Sequence, residues 1–338
     1  ATAGQSPGSC DYAALYDRTI DSVVSVQTDA GIGSGFVYRT AENGTGYVVT
    51  NAHVVGDSDE VVVQLADGES RTGEVVGRDE LSDLAVIRID ETPDAAEALP
   101  VADEPADPGT AVAALGNPFG LDETITHGIV SGVNRSMPTT RGYAVPNVVQ
   151  TDAPISPGNS GGPLVTCDGT VVGVNTAGIA AQGAENIGFS VSATLIDRVV
   201  PALIEDGEYE YAYLGVAATP VTPPIAEAND LNATEGLYVV RTAEGSPAAD
   251  ALQEASENET AGGFSVPVGG DVIVAIDGQP VTSGEELSSY LVTETSPGES
   301  VTLTVLRDGE RQEIEVTLDE RPAPASGPTG PPTGGLPG

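Results

Sequence analysis

The heptapeptide GNSGGPL at residues 158–164 is the most informative stretch of the 338-residue sequence. Ser160 stands among glycines, which can form a tight turn that leaves the serine hydroxyl exposed. Such a turn also lets backbone N–H groups converge on one point, as the stabilisation of an oxyanion requires. A plain glycine-rich turn is the alternative. The pattern favours Ser160 as a nucleophile if the chain also supplies a base.

Two histidines are the candidates for that base. His53 lies in VVTNAHVV, residues 48–55, where an apolar strand ends in a turn of small residues. That position puts an imidazole at a strand end, where a cleft can form. His127 precedes another predicted strand and has no serine or acidic motif beside it. His53 is therefore the candidate base, and His127 is expected in a loop or partly buried.

The orienting acid is chosen by its surroundings, because carboxylates are plentiful. Asp83 opens SDLAVI at residues 82–87, at the head of a strongly apolar strand. A carboxylate there is expected to be partly buried, and a buried charge needs a partner. The order His, Asp, Ser is one of those known for a catalytic triad. The other acids near His53 stand in polar loop-like sequence and are expected to be solvated: Asp57, Asp59, Asp67 and Asp79.

Charge excludes several classes of function. The formal net charge is −39, and none of the basic residues is lysine. Binding to nucleic acid through phosphate neutralisation is excluded, as is docking on an anionic membrane through basic patches. No apolar run approaches the roughly 20 residues of a membrane-spanning helix.

The acidic, lysine-free composition is typical of proteins from extreme halophiles such as halophilic archaea. Concentrated salt relieves the self-repulsion of such a chain, because it screens like charges. A calcium-binding protein is the alternative reading of the acidity. The sequence has no EF-hand spacing and no regular acidic repeat, so neither a metal site nor a cofactor is predicted.

The chain divides into two predicted domains. Residues 11–204 hold many short apolar runs separated by glycine-rich turns, which is typical of an all-β barrel or sandwich. Residues 213–320 mix strands with two short helices and predict a small α+β module. Asn-Gly and Asp-Gly pairs predict hairpin turns at 43–44, 67–68, 168–169 and 308–309. A flexible leader, a linker and a disordered Pro/Gly-rich tail are predicted at 1–10, 205–212 and 321–338.

The two cysteines, Cys10 and Cys167, leave two alternatives open. They form one disulfide or remain thiols, since sequence alone does not establish a pair. Neither has a nearby histidine or second cysteine, which argues against a cysteine protease and against a zinc site.

The three motifs TNAHVV, SDLAVI and GNSGGPL, in that order, resemble those of chymotrypsin-fold serine proteases. Further segments make the chain resemble the HtrA (Deg) family: GSGF at 33–36, GNPFG at 116–120, QTDA at 150–153 and IGFSV at 187–191. The resemblance implies a mainly β chain, with a chymotrypsin-like double β-barrel protease domain followed by a small α+β PDZ domain.

The resemblance also assigns roles. Ser160 would attack the scissile carbonyl, His53 would act as base and then acid, and Asp83 would orient His53. The backbone N–H groups of Gly158 and Ser160, with Asn159 between them, would bind the oxyanion. Asp152 in the QTDA segment is expected to be structural.

Substrate preference follows from the same resemblance. Trypsin-like proteases place an acid six residues before the serine, and this chain has Pro154 there. Cleavage after arginine or lysine is therefore not expected. Two segments would wall an apolar pocket that favours Val, Ala or Leu before the cleaved bond: Asn175, Thr176 and Ala177, and Ile187, Gly188 and Phe189.

The second block resembles a PDZ domain. Tyr213, Leu214, Gly215 and Val216 look like its carboxylate-binding loop, beside an exposed strand edge that would hold a peptide C-terminus. A helix at 283–292 would line the groove. Residues 253–267 form an acidic insertion relative to the family pattern, interpreted either as a solvated loop or as a segment that alters access to the groove.

The implied function is that of an ATP-independent endopeptidase for unfolded or damaged proteins outside the cytoplasm, and no Walker motif occurs. The resemblance further suggests a homotrimer or higher homo-oligomer, joined through N-terminal segments of the protease domain. Tyr12 and Tyr16 would supply contacts there or would be ordinary core or surface tyrosines. A membrane anchor upstream of residue 1 would suit the leader. One alternative is a chaperone-like holdase or peptide-binding scaffold in which proteolysis is secondary. Another is a calcium-binding adhesin built from two β modules.

Overall fold

The computed structural model describes residues 10–29, 31–65, 68–117, 124–139, 144–156, 158–176, 187–231, 235–261 and 263–322. Most of the predicted leader and tail, residues 1–9 and 323–338, lies outside these ranges. The chain forms two compact units. The first comprises Ala1–Pro138, Ala144–Tyr209 and Gly284–Glu294, and the second comprises Thr139–Tyr143, Glu210–Ser283 and Thr295–Gly338. No helix in the described part of the chain is long and apolar enough to span a membrane.

Six antiparallel strands close the first barrel of unit 1. They are β1 Val23–Thr28, β2 Gly31–Thr40, β3 Gly46–Thr50, β4 Glu60–Gln64, β5 Ser70–Asp79 and β6 Leu84–Ile89. Their order around the barrel is β1-β2-β3-β6-β5-β4. Valine and isoleucine fill the interior, and Val24, Val48, Val63 and Ile87 are fully buried. A one-turn helix, α2 (Ala52–Val55), follows β3 and carries His53, where the sequence predicts only a turn.

Six further strands close the second barrel of unit 1. They are β7 Ala111–Gly116, β8 Thr124–Pro138, β9 Ala144–Thr151, β10 Pro163–Thr166, β11 Val171–Thr176 and β12 Gly188–Ser192. Their order around the barrel is β10-β11-β12-β9-β8-β7. Val112, Val130, Leu164 and Val172 are among the residues that form its core. The two six-stranded barrels confirm the predicted fold class of this domain.

One helix precedes the two barrels along the chain and another follows them. The helix α3 spans Ala193–Glu205, and the Ser192 hydroxyl caps it by accepting from Leu195 N. The first helix, α1, Tyr12–Thr19, is not predicted by the sequence. It begins at Asp11, whose carboxylate accepts from Ala14 N at 3.2 Å, and it continues into a 3₁₀ turn, Ile20–Ser22. The fully buried Leu15 packs α1 onto the unit.

A disulfide fixes the start of α1. Cys10 and Cys167 are bonded, with their Cα atoms 5.4 Å apart, which decides between the two alternatives left open by the sequence. Arg18 supports the link by donating to the carbonyl of Cys167 at 2.9 Å. The bond joins positions 157 residues apart, and closing so long a loop in the unfolded chain stabilises the fold by about 2–5 kcal/mol.

The second unit is built from short strands and helices. Its elements are β13 Ala212–Tyr213, β14 Val216–Pro220, α4 Pro223–Ala228, β15 Leu237–Thr242, α5 Pro247–Ala251, β16 Glu257–Ala261, β17 Phe264–Val268, β18 Val272–Ile276, β19 Gln279–Pro280, β20 Ser300–Arg307, β21 Glu310–Thr317 and β22 Asp319–Glu320. The main sheet has the order β14-β15-β18-β20-β21, in which β14 lies at an edge. Between β20 and β21, Asp308 and Gly309 have φ of 52° and 78°, the left-handed pair that a type I′ hairpin turn requires.

The acidic insertion at 253–267 is not a solvated loop, so that interpretation is wrong. Its residues form an antiparallel hairpin of β16 and β17. One face buries Val266 and Val268, while the charged residues of β16 point to solvent. Alternation of buried and exposed residues along β17 explains why a polar segment folds as a strand pair.

A buried ion pair secures the base of this hairpin. Asp271 is fully buried, and its two carboxylate oxygens accept from Arg307 Nε at 2.9 Å and Nη2 at 2.7 Å. This hydrogen bonding raises the pKa of Arg307. Asp271 also accepts from Gln253 N at 2.8 Å. The start of the insertion is therefore bonded to a carboxylate that is itself held in place, because separating a buried carboxylate from its arginine is strongly destabilising.

The helix α6, Gly284–Glu294, groups with the first unit rather than the second. The predicted boundaries assign it to the second domain at 213–320. The change of unit after Tyr209 falls inside the predicted linker, 205–212. The proposed contribution of this helix to a peptide groove stays a prediction.

Candidate active site

His53 and Asp83 form a hydrogen-bonded pair. The imidazole Nδ1 lies 2.8 Å from one carboxylate oxygen of Asp83 and 3.0 Å from the other. The His53 side chain is 40% exposed and that of Asp83 is 11% exposed. An acceptor at Nδ1 holds the proton on that nitrogen, which makes Nε2 the basic atom of the ring.

The backbone of Asp83 is held in an uncommon conformation. Its φ is 58°, a left-handed value that aspartate adopts more readily than most residues. Its carbonyl accepts from Asn51 Nδ2 at 3.0 Å and from Ala52 N at 3.1 Å, and its carboxylate also accepts from His53 N at 3.0 Å. The turn before α2 therefore fixes the acid from both its main chain and its side chain.

Asn51 and Thr176 connect this pair to the second barrel. Asn51 Nδ2 donates to Thr176 Oγ1 at 3.0 Å, and both residues are buried. Thr176 Oγ1 in turn lies 3.4 Å from an oxygen of Asp83. The sequence motifs give Asn51 no role and place Thr176 in the pocket wall. Only the fold brings them together, because they are 125 residues apart in sequence.

The turn that carries Ser160 is as compact as the sequence predicts. Gly158 and Gly161 have φ of 108° and 86°, values at which a side chain is strained. The Ser160 carbonyl accepts from Ser34 N at 2.7 Å, and Gly161 N donates to the carbonyl of Asn175 at 2.8 Å. Ser160 and its neighbour are thereby bonded to a strand of each barrel.

The space around Gly161 has no room for a side chain. A Cβ atom at this position would collide with the carbonyl oxygen of Ser34 and the hydroxyl of Thr50. Thr50 ends β3 and precedes Asn51, and its hydroxyl donates to the Ser34 carbonyl at 2.6 Å. Close packing of the serine turn against the end of β3 is what brings Ser160 to the side of the barrel that carries His53.

The remaining residues expected at the oxyanion site lie in the same turn. Asn159 is buried, and its Oδ1 accepts from Thr124 Oγ1 at 3.0 Å. Gly158 uses its carbonyl to accept from Ser34 Oγ at 2.6 Å. Their function as oxyanion donors with Ser160 stays a prediction.

The predicted pocket segments lie on neighbouring strands, since Thr176 pairs with Phe189. The Asn175 side chain is buried and bonds to Pro163 O and Ser190 Oγ, so it ties strands together rather than facing a ligand. Ile187 is exposed, and Gly188 packs against Ile155 without room for a Cβ atom. Ala177 lies outside the described residues.

Three other expectations concern nearby residues. Asp152 Oδ1 accepts from Ile129 N at 2.7 Å, a structural contact. The carbonyl of Pro154 accepts from Thr126 Oγ1 at 2.7 Å. The expectation for His127 is wrong: it lies within β8, is exposed, and stacks on Tyr12 with ring centroids 4.4 Å apart. The ring that His127 stacks on belongs to α1. Because the sequence does not predict α1, it gives no sign of this contact.

The candidate peptide-binding loop of the second unit is firmly held. Gly215 has a φ of 79°, and its carbonyl accepts from Ala243 N at 2.8 Å and from Ser246 Oγ at 3.3 Å. Leu214 O accepts from Ala248 N at 2.9 Å. The loop leads into β14 at the edge of the sheet, which can pair with an added strand. Across the described ranges, no cluster of three or more His, Cys, Asp or Glu side chains is arranged to hold a metal ion.

Comparison with known proteins gives matches over both units. Residues 33–174 match the family model of the trypsin-like peptidase domain, and residues 212–318 match that of the PDZ domain. The chain is 34% identical to the serine protease Do-like HtrA of Bacillus subtilis, covering 88% of this chain and 65% of the relative. It is 36% identical to the periplasmic pH-dependent serine endoprotease DegQ of Escherichia coli, covering 86% and 59%. The chain therefore spans less than two thirds of the length of these curated relatives.

Solved structures match almost end to end. The HtrA-type protease AlgW with tripeptide is 32% identical and superposes with a TM-score of 0.72, over 94% of this chain and 99% of that one. The serine endoprotease from Yersinia pestis is 30% identical, with a TM-score of 0.62 and coverage of 94% and 100%.

The packing at Gly161 predicts a specific loss of stability. Gly161→Ala should lower the free energy of unfolding by about 1–3 kcal/mol more than Gly44→Ala, because only the first places a methyl group in occupied space. The two glycines share a similar φ, 86° and 85°, and a Cβ atom at Gly44 meets nothing within 4 Å. Urea unfolding measures both variants, and equal losses would contradict the packing described for the serine turn.

Proposed function

The chain belongs to the HtrA/DegP family of serine endoproteases, and on that premise we propose that it hydrolyses peptide bonds in unfolded or damaged proteins without ATP. The observation that carries the proposal is the hydrogen-bonded pair of His53 and Asp83, at 2.8 Å. A carboxylate that fixes the tautomer of a half-exposed imidazole is the arrangement that activates a serine. The serine on the tight glycine turn of the adjacent barrel supplies the nucleophile.

The chemistry proceeds in two halves. Ser160 Oγ attacks the scissile carbonyl while His53 Nε2 takes the hydroxyl proton. Asp83 stabilises the resulting imidazolium, and His53 then gives the proton to the leaving amine, which leaves an acyl-enzyme on Ser160. Water, deprotonated by His53, attacks the acyl group, and the proton returns to Ser160 as the acid product departs. N–H groups of Gly158 and Ser160 donate to the oxyanion in both halves.

Specificity is proposed to favour small or medium apolar residues before the cleaved bond. Pro154 stands where trypsin-like enzymes carry an acid, so no carboxylate at that position attracts arginine or lysine. The packing of Gly188 against Ile155 supports an apolar wall at this side of the turn. Valine, alanine and leucine fit these properties.

The second unit is proposed to bind the C-termini of peptides. Tyr213, Leu214, Gly215 and Val216 would supply backbone N–H groups to the terminal carboxylate, and the peptide would extend β14. The rigid hold on Gly215 by residues that precede and cap α5 supports a preformed loop. A chaperone-like holdase or peptide-binding scaffold in which proteolysis is secondary is not favoured, since such a function would not require the His53–Asp83 pair.

Location and assembly are inferred from relatives and from composition. Several relatives are named as periplasmic, which supports a place outside the cytoplasm for this chain too, where the Cys10–Cys167 disulfide would persist. The proposal is completed by a homotrimer or higher homo-oligomer that is either secreted or anchored to the outer face of the cell membrane. The net charge of −39 supports a halophilic setting, such as that of an archaeon.

Replacement of the nucleophile tests the activity. Ser160→Ala should abolish cleavage of an unfolded protein, because no other group attacks the carbonyl. Binding of a fluorescent apolar C-terminal peptide to the second unit should be unchanged, since that site is separate. Sequencing the wild-type products should place cuts after Val, Ala or Leu. Proteolysis that survives the substitution would refute the triad, and cuts mainly after Arg would refute the apolar pocket.

The charge of the chain predicts dependence on salt. Dilution from molar KCl to about 0.1 M should lower the midpoint of thermal unfolding and the proteolytic rate together, because the Debye length grows from about 3 Å to about 10 Å. The Ser160→Ala variant serves as the control and should lose thermal stability to the same extent. Activity that stays constant over this range would remove the halophilic interpretation and leave the protease intact.

A further inference from the structure

Ser34 is a buried residue of β2 to which the sequence motifs give no function. It is fully buried, and both its main chain and its side chain bond to residues distant in sequence. Its N–H donates to Ser160 O at 2.7 Å, and its carbonyl accepts from Thr50 Oγ1 at 2.6 Å. Its hydroxyl donates to Gly158 O at 2.6 Å and accepts from Asn117 N at 2.8 Å. One side chain thus connects the first barrel with two segments of the second.

The direction of the hydroxyl proton is fixed by its partners. The Gly158 carbonyl can only accept a hydrogen bond and the Asn117 N–H can only donate one. The single proton of Ser34 must therefore point at Gly158. A hydroxyl that is oriented from both sides and closed off from bulk water holds its acceptor in one place, and its removal would leave two backbone groups to find new partners.

The two carbonyls that Ser34 holds bracket the catalytic turn. Gly158 O belongs to the peptide plane before Asn159, and Ser160 O belongs to the plane after Ser160. Because peptide units are planar, fixing a carbonyl oxygen also fixes the N–H on the other side of its plane. The plane that carries the Ser160 N–H lies between these two. Gly158 has a φ of 108°, so without a restraint its plane could rotate more freely than that of other residues.

We propose that Ser34 is a positioning residue that sets the orientation of the oxyanion-binding turn through the hydrogen bond from its hydroxyl to Gly158 O. This inference rests on the proposed function of the Gly158–Ser160 turn. Ser34 does not touch the substrate. It acts by holding the turn so that the N–H groups of the turn meet the developing negative charge, where small displacements are costly to the rate.

The chain supplies a closely matched control. Ser25 lies directly opposite Ser34 across the β1–β2 pair and is also fully buried. Its hydroxyl has no hydrogen-bond partner among the described residues. Ser25→Ala and Ser34→Ala therefore remove the same atom from the same sheet at the same burial, and only the second breaks a bond to the catalytic turn.

Two measurements on the full chain test the proposal. In hydrogen exchange, Ser34→Ala should raise the rates of the Asn159, Gly161 and Gly162 amides about tenfold, since the turn loses a restraint. In peptide hydrolysis, it should lower kcat about tenfold or more with KM within about twofold. Ser25→Ala should leave the exchange rates and kcat near those of the wild type.

The outcomes distinguish a failure of the role proposed for Ser34 from a failure of the proposed protease function. Equal exchange and equal kcat in Ser34→Ala and Ser25→Ala would overturn the role of Ser34. A rise of KM without a loss of kcat would also overturn it, because the residue would then act on ground-state binding. A wild-type chain that cleaves no peptide would refute the proposed function, while hydrogen exchange would still decide whether Ser34 orders the turn.

Discussion

Hydrogen bonds that cross between the two barrels of the first unit hold the candidate active site together. Each barrel is closed on itself and has its own apolar core. The packing within each barrel therefore does not by itself fix how the candidate catalytic residues of the two barrels are placed. Asp83 and His53, the proposed acid and base, lie on the first barrel, and Ser160, the proposed nucleophile, lies on the second. Their relative position depends on a few polar contacts: Ser34 to Gly158 and Ser160, Thr50 against Gly161, and Asn51 to Thr176.

Burial makes these contacts specific. A buried polar group that loses its partner costs about 1–3 kcal/mol, because no water replaces it. Asn51 is fully buried and its amide nitrogen donates to both Asp83 O and Thr176 Oγ1. A shift of one barrel against the other would break several such bonds at once. The same residues that hold the barrels in register therefore orient Asp83, and Asp83 orients His53.

The sequence predicts the fold class and points to the candidate catalytic residues, but it does not predict several elements and contacts that position them. Ser160, His53 and Asp83 are recognisable because each stands in a short motif whose local pattern carries the signal. The elements that it does not predict lack such a pattern. The helix α1 buries only Leu15 and Thr19 and is held by the Cys10–Cys167 disulfide, and the β16 strand exposes nearly all its side chains. The hydrogen bonds from Ser34 and Asn51 join residues 124 and 125 positions apart. No local sequence pattern indicates contacts over such separations, so they become visible only once both barrels are folded.

A double-mutant cycle between Asn51 and Thr176 tests the central claim most directly. Asn51→Ala, Thr176→Val and the double variant would be compared through kcat/KM for an apolar peptide. If the contact between barrels holds the acid and base in register, the two effects should be non-additive by at least about 0.5 kcal/mol. Thr317→Val in the second unit, whose hydroxyl bonds only Ser300 at 2.8 Å among the contacts described, should be additive with Asn51→Ala. Additive effects of Asn51 and Thr176 would contradict the account.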